Sequence, residues 1–508
     1  MPIVEPGGIT GRGLAAGVAG VAFGGVVAAI AVAVDVVADD LGGAGVDAGV
    51  GVVAVGVGGV AVLVLVDHRH AIKRLDTAVF ARAADGSACA YATRYDRIVP
   101  RSNRRRQDSS AAPKPLYVVW ELTLRCDQPC THCGSRAGAA RARELSTDEC
   151  LDVVKQLAAM GAKEVTLIGG EAYLRADLDV IVAALAAAGV VPTMQTGGRA
   201  LTAERAARLK AAGLFAVGVS IDGPADVHDT LRGNRGSWAA AMRALENAHD
   251  AGLATSSNMQ VNQMNLDRMP EHVESLRDRK VRYWRAQLTV PMGNAADHPE
   301  WILQPWQILE VVESLAAIQR DTLANPRPWE LPAPMRSFDV QPGNNIGYFG
   351  PHEELLRSRP GAGSAHWRGC QAGVSVMSIE SDGTLKACPS LPTAPYVAGN
   401  VLDQAVADAW LHQPAMAFTR EKSTSELWGF CKGCYYADTC RAGCNFTAHT
   451  TLGRRGNQPF CYHRAATLRR DGKRERLVQV ERAAGKPYDF GRFELVEEEW
   501  QPAESGQT

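Results

Sequence analysis

Between residues 117 and 289 the hydrophobic pattern repeats regularly. Short apolar runs at 117–124, 164–169, 190–196, 215–221, 255–261 and 282–289 read as buried strands. Amphipathic stretches lie between them. The first opens on Ser146-Thr147-Asp148-Glu149, a capping box, and continues with Leu151, Val154, Leu157 and Ala158 on one face. Another starts from Thr202, carries Glu204 in its first turn and reaches Gly213 where a helix would stop. Six strand–helix units in series predict an α/β fold with a parallel sheet and helices outside. Six are short of a closed eight-fold barrel, so a partial (β/α)6 TIM barrel is expected. Residues 301–366 are rich in Pro and Trp and show no clear period. Residues 367–465 show little regular pattern, as in a segment organised by metal centres rather than by a large apolar core. The charged stretch 466–508 reads as a peripheral tail.

Residues 1–66 have a different texture. Gly, Ala and Val dominate, with no charge from Gly13 to Val34 or from Ala48 to Val66. Each stretch is about the length of a membrane span. Asp35, Asp39, Asp40 and Asp47 lie between them, and Arg12, Arg69, Lys73 and Arg74 flank them. That arrangement fits a membrane hairpin with both ends in the cytoplasm. The scarcity of Leu fits a low-complexity, disordered leader equally well. Residues 67–115 read as a polar linker.

Lys+Arg 54 against Asp+Glu 55 leaves a formal charge of -1, so nothing global points to a nucleic-acid partner. The local basic run Arg101, Arg104, Arg105 and Arg106 reads as solvated linker. The 508-residue chain holds twelve cysteines. Three cluster at 126–133 and seven lie between 370 and 461; Cys89 and Cys150 fall outside these groups. Such clustering fits metal or iron–sulfur ligation in a reducing, cytoplasmic compartment better than a disulfide framework.

Cys126, Cys130 and Cys133 have C-x3-C-x2-C spacing and follow the first predicted strand. In parallel sheets ligands collect at the carboxyl ends of strands. Three thiolates leave one iron of a four-iron cluster open to a small molecule; zinc, with His132 as a fourth ligand, is the competing reading. Gly169-Gly170-Glu171 directly follows the second strand, where glycines allow backbone to approach a ligand and Glu171 offers a carboxylate. Met194-Gln195-Thr196-Gly197-Gly198 and Val219-Ser220-Ile221-Asp222-Gly223-Pro224 end the third and fourth strands.

These motifs together resemble the radical S-adenosylmethionine (SAM) enzymes. The resemblance implies that Cys126, Cys130 and Cys133 hold a catalytic 4Fe–4S cluster. Gly169, Gly170 and Glu171 would hold the SAM ammonium group, with Thr196, Ser220 and Asp222 as further cofactor contacts. Gly197 stands where the family has Asn. Farther on, Cys370 is followed after twelve residues by Gly383 and after four more by Cys388; Cys431-x2-Cys434-x5-Cys440-x3-Cys444 and Cys461 follow. This resembles the seven-cysteine SPASM domain. The resemblance implies two auxiliary 4Fe–4S clusters, one on Cys431, Cys434, Cys440 and Cys461, the other on Cys370, Cys388 and Cys444. It covers roughly residues 116–465, with the radical SAM core at 116–300, a connecting region at 301–366 and the SPASM domain at 367–465.

What the resemblance implies is a reductive cleavage of SAM to a 5′-deoxyadenosyl radical and modification of a precursor peptide or protein. An electron donor such as flavodoxin or ferredoxin would serve it, and either a separate peptide-recognition protein or residues 67–115 would recognise the peptide, since no peptide-recognition domain is evident near the N-terminus. A small-molecule substrate is an alternative. Sulfatase maturation fits less well, because Pro389 follows Cys388 where those enzymes have Asp. A non-catalytic metal-binding interaction protein is the remaining class.

Overall fold

The computed structural model describes residues 112–500 apart from 282, 331–337, 358–366 and 368, together with short strands before residue 112. Residues Met1–Arg101 and Ser102–Thr508 form two compact units. In the first unit, Val50–Val57 pairs antiparallel with Val60–Asp67, and Phe80–Ala81 joins the second of these strands. Within the apolar stretch Ala48–Val66 the described residues are therefore antiparallel strands. Its β-branched valines favour extended backbone, and Gly58-Gly59 between two valine runs is a hairpin signal. Most of Gly13–Val34 lies outside the described residues. Among the described residues no helix is long and apolar enough to cross a membrane.

The second unit is built on the expected alternation. In chain order its first elements are β1 (Tyr117–Glu121), α1 (Thr147–Ala159), β2 (Glu164–Ile168), α2 (Leu178–Ala187), β3 (Val191–Thr196), α3 (Ala203–Ala211) and β4 (Ala216–Ser220). Then come α4 (Ala225–Arg232), α5 (Ser237–Asp250), β5 (Ala254–Val261), α6 (Met269–Arg277) and β6 (Tyr283–Leu288). The capping box forms: Ser146 accepts from the Glu149 N–H, and Glu149 accepts from the Ser146 N–H. Thr202 caps α3, and Gly213 follows its end at φ 108°.

The sheet extends beyond six strands. A helix, α7 (Ile308–Ala324), leads to β7 (Asp339–Pro342) beside β6. Its face of Ile308, Val311, Val312, Leu315 and Ala316 is buried, and this helical spacing is present in the region expected to be aperiodic. At the other edge β8 (Val376–Ile379) runs parallel to β1, and β9 (Leu385–Lys386) turns back on it. The order is β7-β6-β5-β4-β3-β2-β1-β8-β9, an open sheet whose ends do not pair. Gly383, at φ 89°, makes the turn between β8 and β9, a conformation that L side chains avoid. Cys370 thus precedes this small hairpin and Cys388 follows it.

One continuous apolar cluster joins Trp120, Leu167, Val217 and Trp284 of the barrel with Met377, Leu385, Trp410 and Phe460. The cysteine-rich region is therefore anchored in the main core as well as by its cysteines. Helices α8 (Asn445–Leu452) and α9 (Tyr462–Arg470) precede a final antiparallel hairpin, β10 (Lys473–Glu481) and β11 (Arg492–Glu499). The tail expected to be peripheral carries buried Leu477, Tyr488 and Phe493.

Candidate active site

β1 ends at Glu121, and the chain turns into the loop carrying the first three cysteines. Each sulfur meets a donor. The Gln128 N–H lies 3.4 Å from Cys126 Sγ, the Ala137 N–H 3.4 Å from Cys133 Sγ, and Arg232 Nη1 3.7 Å from Cys130 Sγ. Burial pushes the Cys126 thiol up to about 12, and Glu171, Cys130 and Cys133 add to the shift. Burial also raises the Cys130 thiol, against the pull of Arg232. Thiols gathered this way ionise against a bound cation, and N–H donors then stabilise the resulting thiolates, so the donor set fits an iron–sulfur cluster. His132 is not free to complete a zinc site. Its Nδ1 lies 2.9 Å from the Leu231 carbonyl and its Nε2 3.2 Å from Asp222.

Gly169 and Gly170 have a steric reason to be glycine. A Cβ at Gly169 would stand 2.4 Å from the Thr123 carbonyl oxygen, and one at Gly170 2.2 Å from that of Arg125. The turn instead packs on the cysteine loop's own backbone, with the Gly170 and Glu171 N–H groups donating to those carbonyls, each at 2.8 Å. This docks Glu171 beside Cys126. Cys126, Asp127 and Glu171 each present a ligand atom within 4.8 Å of the others. Glu171 is buried and accepts from Thr196 Oγ1 at 2.5 Å and from the Gly197 N–H at 2.6 Å. Burial raises its carboxyl to about 7; those two donors lower it and Asp127 raises it. This thiol and two carboxylates at the ends of β1 and β2 form a cluster suited to a cation.

The remaining expected contacts divide. Thr196 is turned to Glu171, so it orients that carboxylate. A Cβ at Gly197 would lie 2.5 Å from Gln128 Nε2 and 2.8 Å from Glu171 Oε1, so a side chain there would displace the ends of both. Ser220 ends β4 and accepts from Gln195 Nε2 at 3.2 Å. Asp222 has no exposed surface: Arg232 Nη2 lies 2.6 Å and His132 Nε2 3.2 Å from Oδ2, and the Gln260 N–H donates to Oδ1 at 3.0 Å. Its carboxyl, although buried, is held well below the usual range by Arg232 and His132. Its carboxylate is consumed by Arg232 and His132, and it reaches the site only through Arg232 on Cys130.

Gln128 and Asp127 were missed from the sequence. Both lie inside the cysteine motif, which is the one signal that could have singled them out. Gln128 is buried, and its Nε2 has no partner in the protein although it adjoins Gly197 and Glu171. An unpaired buried donor beside a carboxylate suits a ligand carrying both signs of charge, such as the amino-acid end of SAM. Tyr173 donates to Asp127, with both carboxylate oxygens at 3.0 Å.

The other seven motif cysteines form two groups. Cys370, Cys388 and Cys444 lie within electrostatic reach of one another, while Cys431 and Cys440 each lie within reach of the other and of both Cys434 and Cys461. Burial pushes Cys388 and Cys461 up to about 12 and Cys440 and Cys444 up to about 11. Backbone N–H groups again face the sulfurs: Gln458 on Cys431 and Tyr436 on Cys434, each at 3.4 Å. Cys150 lies on the buried face of α1, and Cys89 lies outside the described residues.

An open parallel sheet with a three-cysteine loop and a carboxylate at its carboxyl edge defines a radical SAM core. Residues 120–276 match the model of the radical SAM superfamily, and residues 370–435 match that of the SPASM iron–sulfur cluster-binding domain. The second match stops short of Cys440, Cys444 and Cys461. The chain is 31% identical over 337 residues to the mycofactocin maturase MftC of Mycolicibacterium smegmatis, covering 65% of this chain and 78% of that protein. It is 28% identical to the AdoMet-dependent heme synthase of Methanosarcina barkeri, covering 69% of this chain and 97% of that one. Among solved structures it resembles Streptococcus suis SuiB bound to precursor peptide SuiA, at 15% identity and a TM-score of 0.51 over 66% of this chain and 72% of that one. It also resembles anSMEcpe with bound AdoMet, at 15% identity and a TM-score of 0.54 over 70% and 95%. These two likenesses bear on the fold. The chain belongs to the radical SAM enzymes with a SPASM domain, an iron–sulfur family that uses SAM.

Proposed function

We propose that this enzyme is a maturase that modifies a ribosomally made precursor peptide. The observation that carries the reading is its 31% identity to a mycofactocin maturase across 78% of that protein. We assign Cys126, Cys130 and Cys133 to the SAM-binding 4Fe–4S cluster, Cys431, Cys434, Cys440 and Cys461 to one auxiliary cluster, and Cys370, Cys388 and Cys444 to the other. When bound, the first cluster and SAM supply a 5′-deoxyadenosyl radical that removes a hydrogen atom from the substrate. The protein's part is to hold and shield. Glu171, oriented by Thr196 and the Gly197 N–H, attracts the SAM ammonium, and Gln128 Nε2 offers a donor beside it. Arg232 fixes Cys130 and is itself held by Asp222. A low-potential flavodoxin or ferredoxin would supply electrons, and the cytoplasm is where such donors and SAM are available. Membrane attachment through residues 1–66 is not needed for this chemistry.

The heme-synthase likeness, across 97% of that relative, favours a second reading in which the substrate is a small molecule. One experiment separates the two. Anaerobically reconstituted enzyme with SAM and reductant is given either a peptide encoded beside its gene or an iron porphyrin carboxylate. A mass change in the peptide alone supports the maturase. A mass change in the porphyrin alone replaces it.

A further inference from the structure

The loop joining β10 to β11 lies beyond both family-model matches and enters the site. Tyr488, at φ 58°, is buried against Leu124, Val290 and Met292, residues that follow β1 and β6. Its hydroxyl donates to Glu121 Oε2, and Arg141 and Lys386 stand 5.6 and 4.5 Å from its ring centre. Glu121 also takes Ser381 Oγ at 2.8 Å and Arg141 at 3.1 Å, so the carboxylate ending β1 is tied to the β8–β9 turn. The next residue, Asp489, accepts from Arg136 Nε at 2.7 Å, and Arg136 lies three residues past Cys133. Arg136 also donates to Asn294 Oδ1 at 2.8 Å and to the two carboxylate oxygens of Asp297 at 2.6 and 3.0 Å, so Asp489 shares the guanidinium with them. Asn294 in turn donates to the carbonyls of Cys130, at 2.7 Å, and Cys133, at 2.9 Å. The Asp489 carbonyl accepts from the Gly293 N–H at 2.8 Å, and a Cβ at Gly293 would strike the Cys133 carbonyl oxygen at 2.2 Å. Phe490 meets the His449 ring at 5.0 Å, on the helix that follows Cys444.

We propose that the tip of this C-terminal hairpin is part of the active site. Asp489 is a positioning residue that clamps the three-cysteine loop through Arg136, and Tyr488 is one that fixes the Glu121 carboxylate at its root. The proposal rests on the radical SAM reading and adds residues that neither family match reaches. Fold stability alone is a poor reason for the arrangement. A largely buried Asp–Arg pair gains little net free energy over apolar packing, and its directional bonds specify position instead. The loop they position must hold three sulfurs to within a fraction of an ångström of a productive geometry.

The test uses full-length, anaerobically reconstituted protein carrying Tyr488→Phe or Asp489→Asn. Amide hydrogen exchange across 122–138, iron content, and KM and kcat for SAM in 5′-deoxyadenosine formation are read together. Both variants should keep full iron content. Exchange across the cysteine loop should rise about tenfold, and KM for SAM should rise about tenfold with a smaller change in kcat. Unchanged exchange and unchanged KM in both variants would overturn the proposal. Loss of iron with faster exchange throughout the chain would also overturn it, making the hairpin a general folding element. If unaltered, fully loaded protein fails to cleave SAM, the radical SAM reading falls, while the exchange measurement still decides whether the tip clamps the loop.

Discussion

Glu171 shows how a single side chain takes its role from its surroundings. Burial raises its carboxyl to about 7, while Thr196 and Gly197 aim its oxygens. Below that pH the group is neutral and attracts a cationic ligand less; above it the charge is present. SAM affinity should therefore rise from pH 6 to pH 8 in the unaltered protein and be nearly flat in Glu171→Gln, as binding titrations across that range would show. At pH 8 the substitution should cost about ten- to a hundredfold in affinity, since a charge-assisted hydrogen bond contributes on the order of 1.5–3 kcal/mol. Gln is a cleaner change than Ala, which would leave the Thr196 and Gly197 donors buried without a partner. Gln128→Leu keeps the volume and removes the amide. It should weaken SAM binding about three- to tenfold while leaving iron content unchanged.

At the scale of elements, the cysteine loop is held by groups far away in sequence. Asp222 lies just past β4, Arg232 ends α4, and His132 sits inside the loop. Asp222→Asn would leave Arg232 and His132 buried against a neutral amide. The expected loss is about 3–5 kcal/mol, the usual cost of breaking a buried ion pair by removing one partner. Chemical denaturation of the reconstituted protein measures it, and a loss under 1 kcal/mol would show that Arg232 finds another partner. On the proposed three-cluster assignment, replacing Cys126, Cys130 and Cys133 together by Ala should lower iron from about twelve to about eight per chain and abolish 5′-deoxyadenosine formation. The remaining seven motif cysteines lie on other turns, with their own N–H donors.

For the whole molecule, all ten motif cysteines lie in the unit Ser102–Thr508. A chain starting at Ser102 should bind its full iron and cleave SAM at a rate comparable to full-length protein. Loss of cleavage from an iron-loaded truncation would make residues 1–101 part of the enzyme. The compact unit also explains why its cysteine-rich part has so little internal periodicity. β8 is a four-residue strand that completes its hydrogen bonding on β1, and its apolar residues join the barrel core.

Local order in this protein is written in local pattern. The six central strands, the Ser146 capping box, the Thr202 cap and the cysteine spacing were legible because each depends on residues a few positions apart. α7 carries the same kind of signal, obscured by the Pro and Trp around it. The strands Val50–Val57 and Val60–Asp67 were not legible, because an uninterrupted apolar run hides the two-residue alternation of a strand. Contacts between distant segments were decided only by the tertiary structure. Sequence spacing could not reveal that Asp222 faces Arg232 and His132, that two glycines fit the Thr123–Arg125 backbone, or that Tyr488 reaches Glu121. Such pairings depend on which buried donors and acceptors the folded chain brings within bonding distance, and a linear pattern does not encode that geometry.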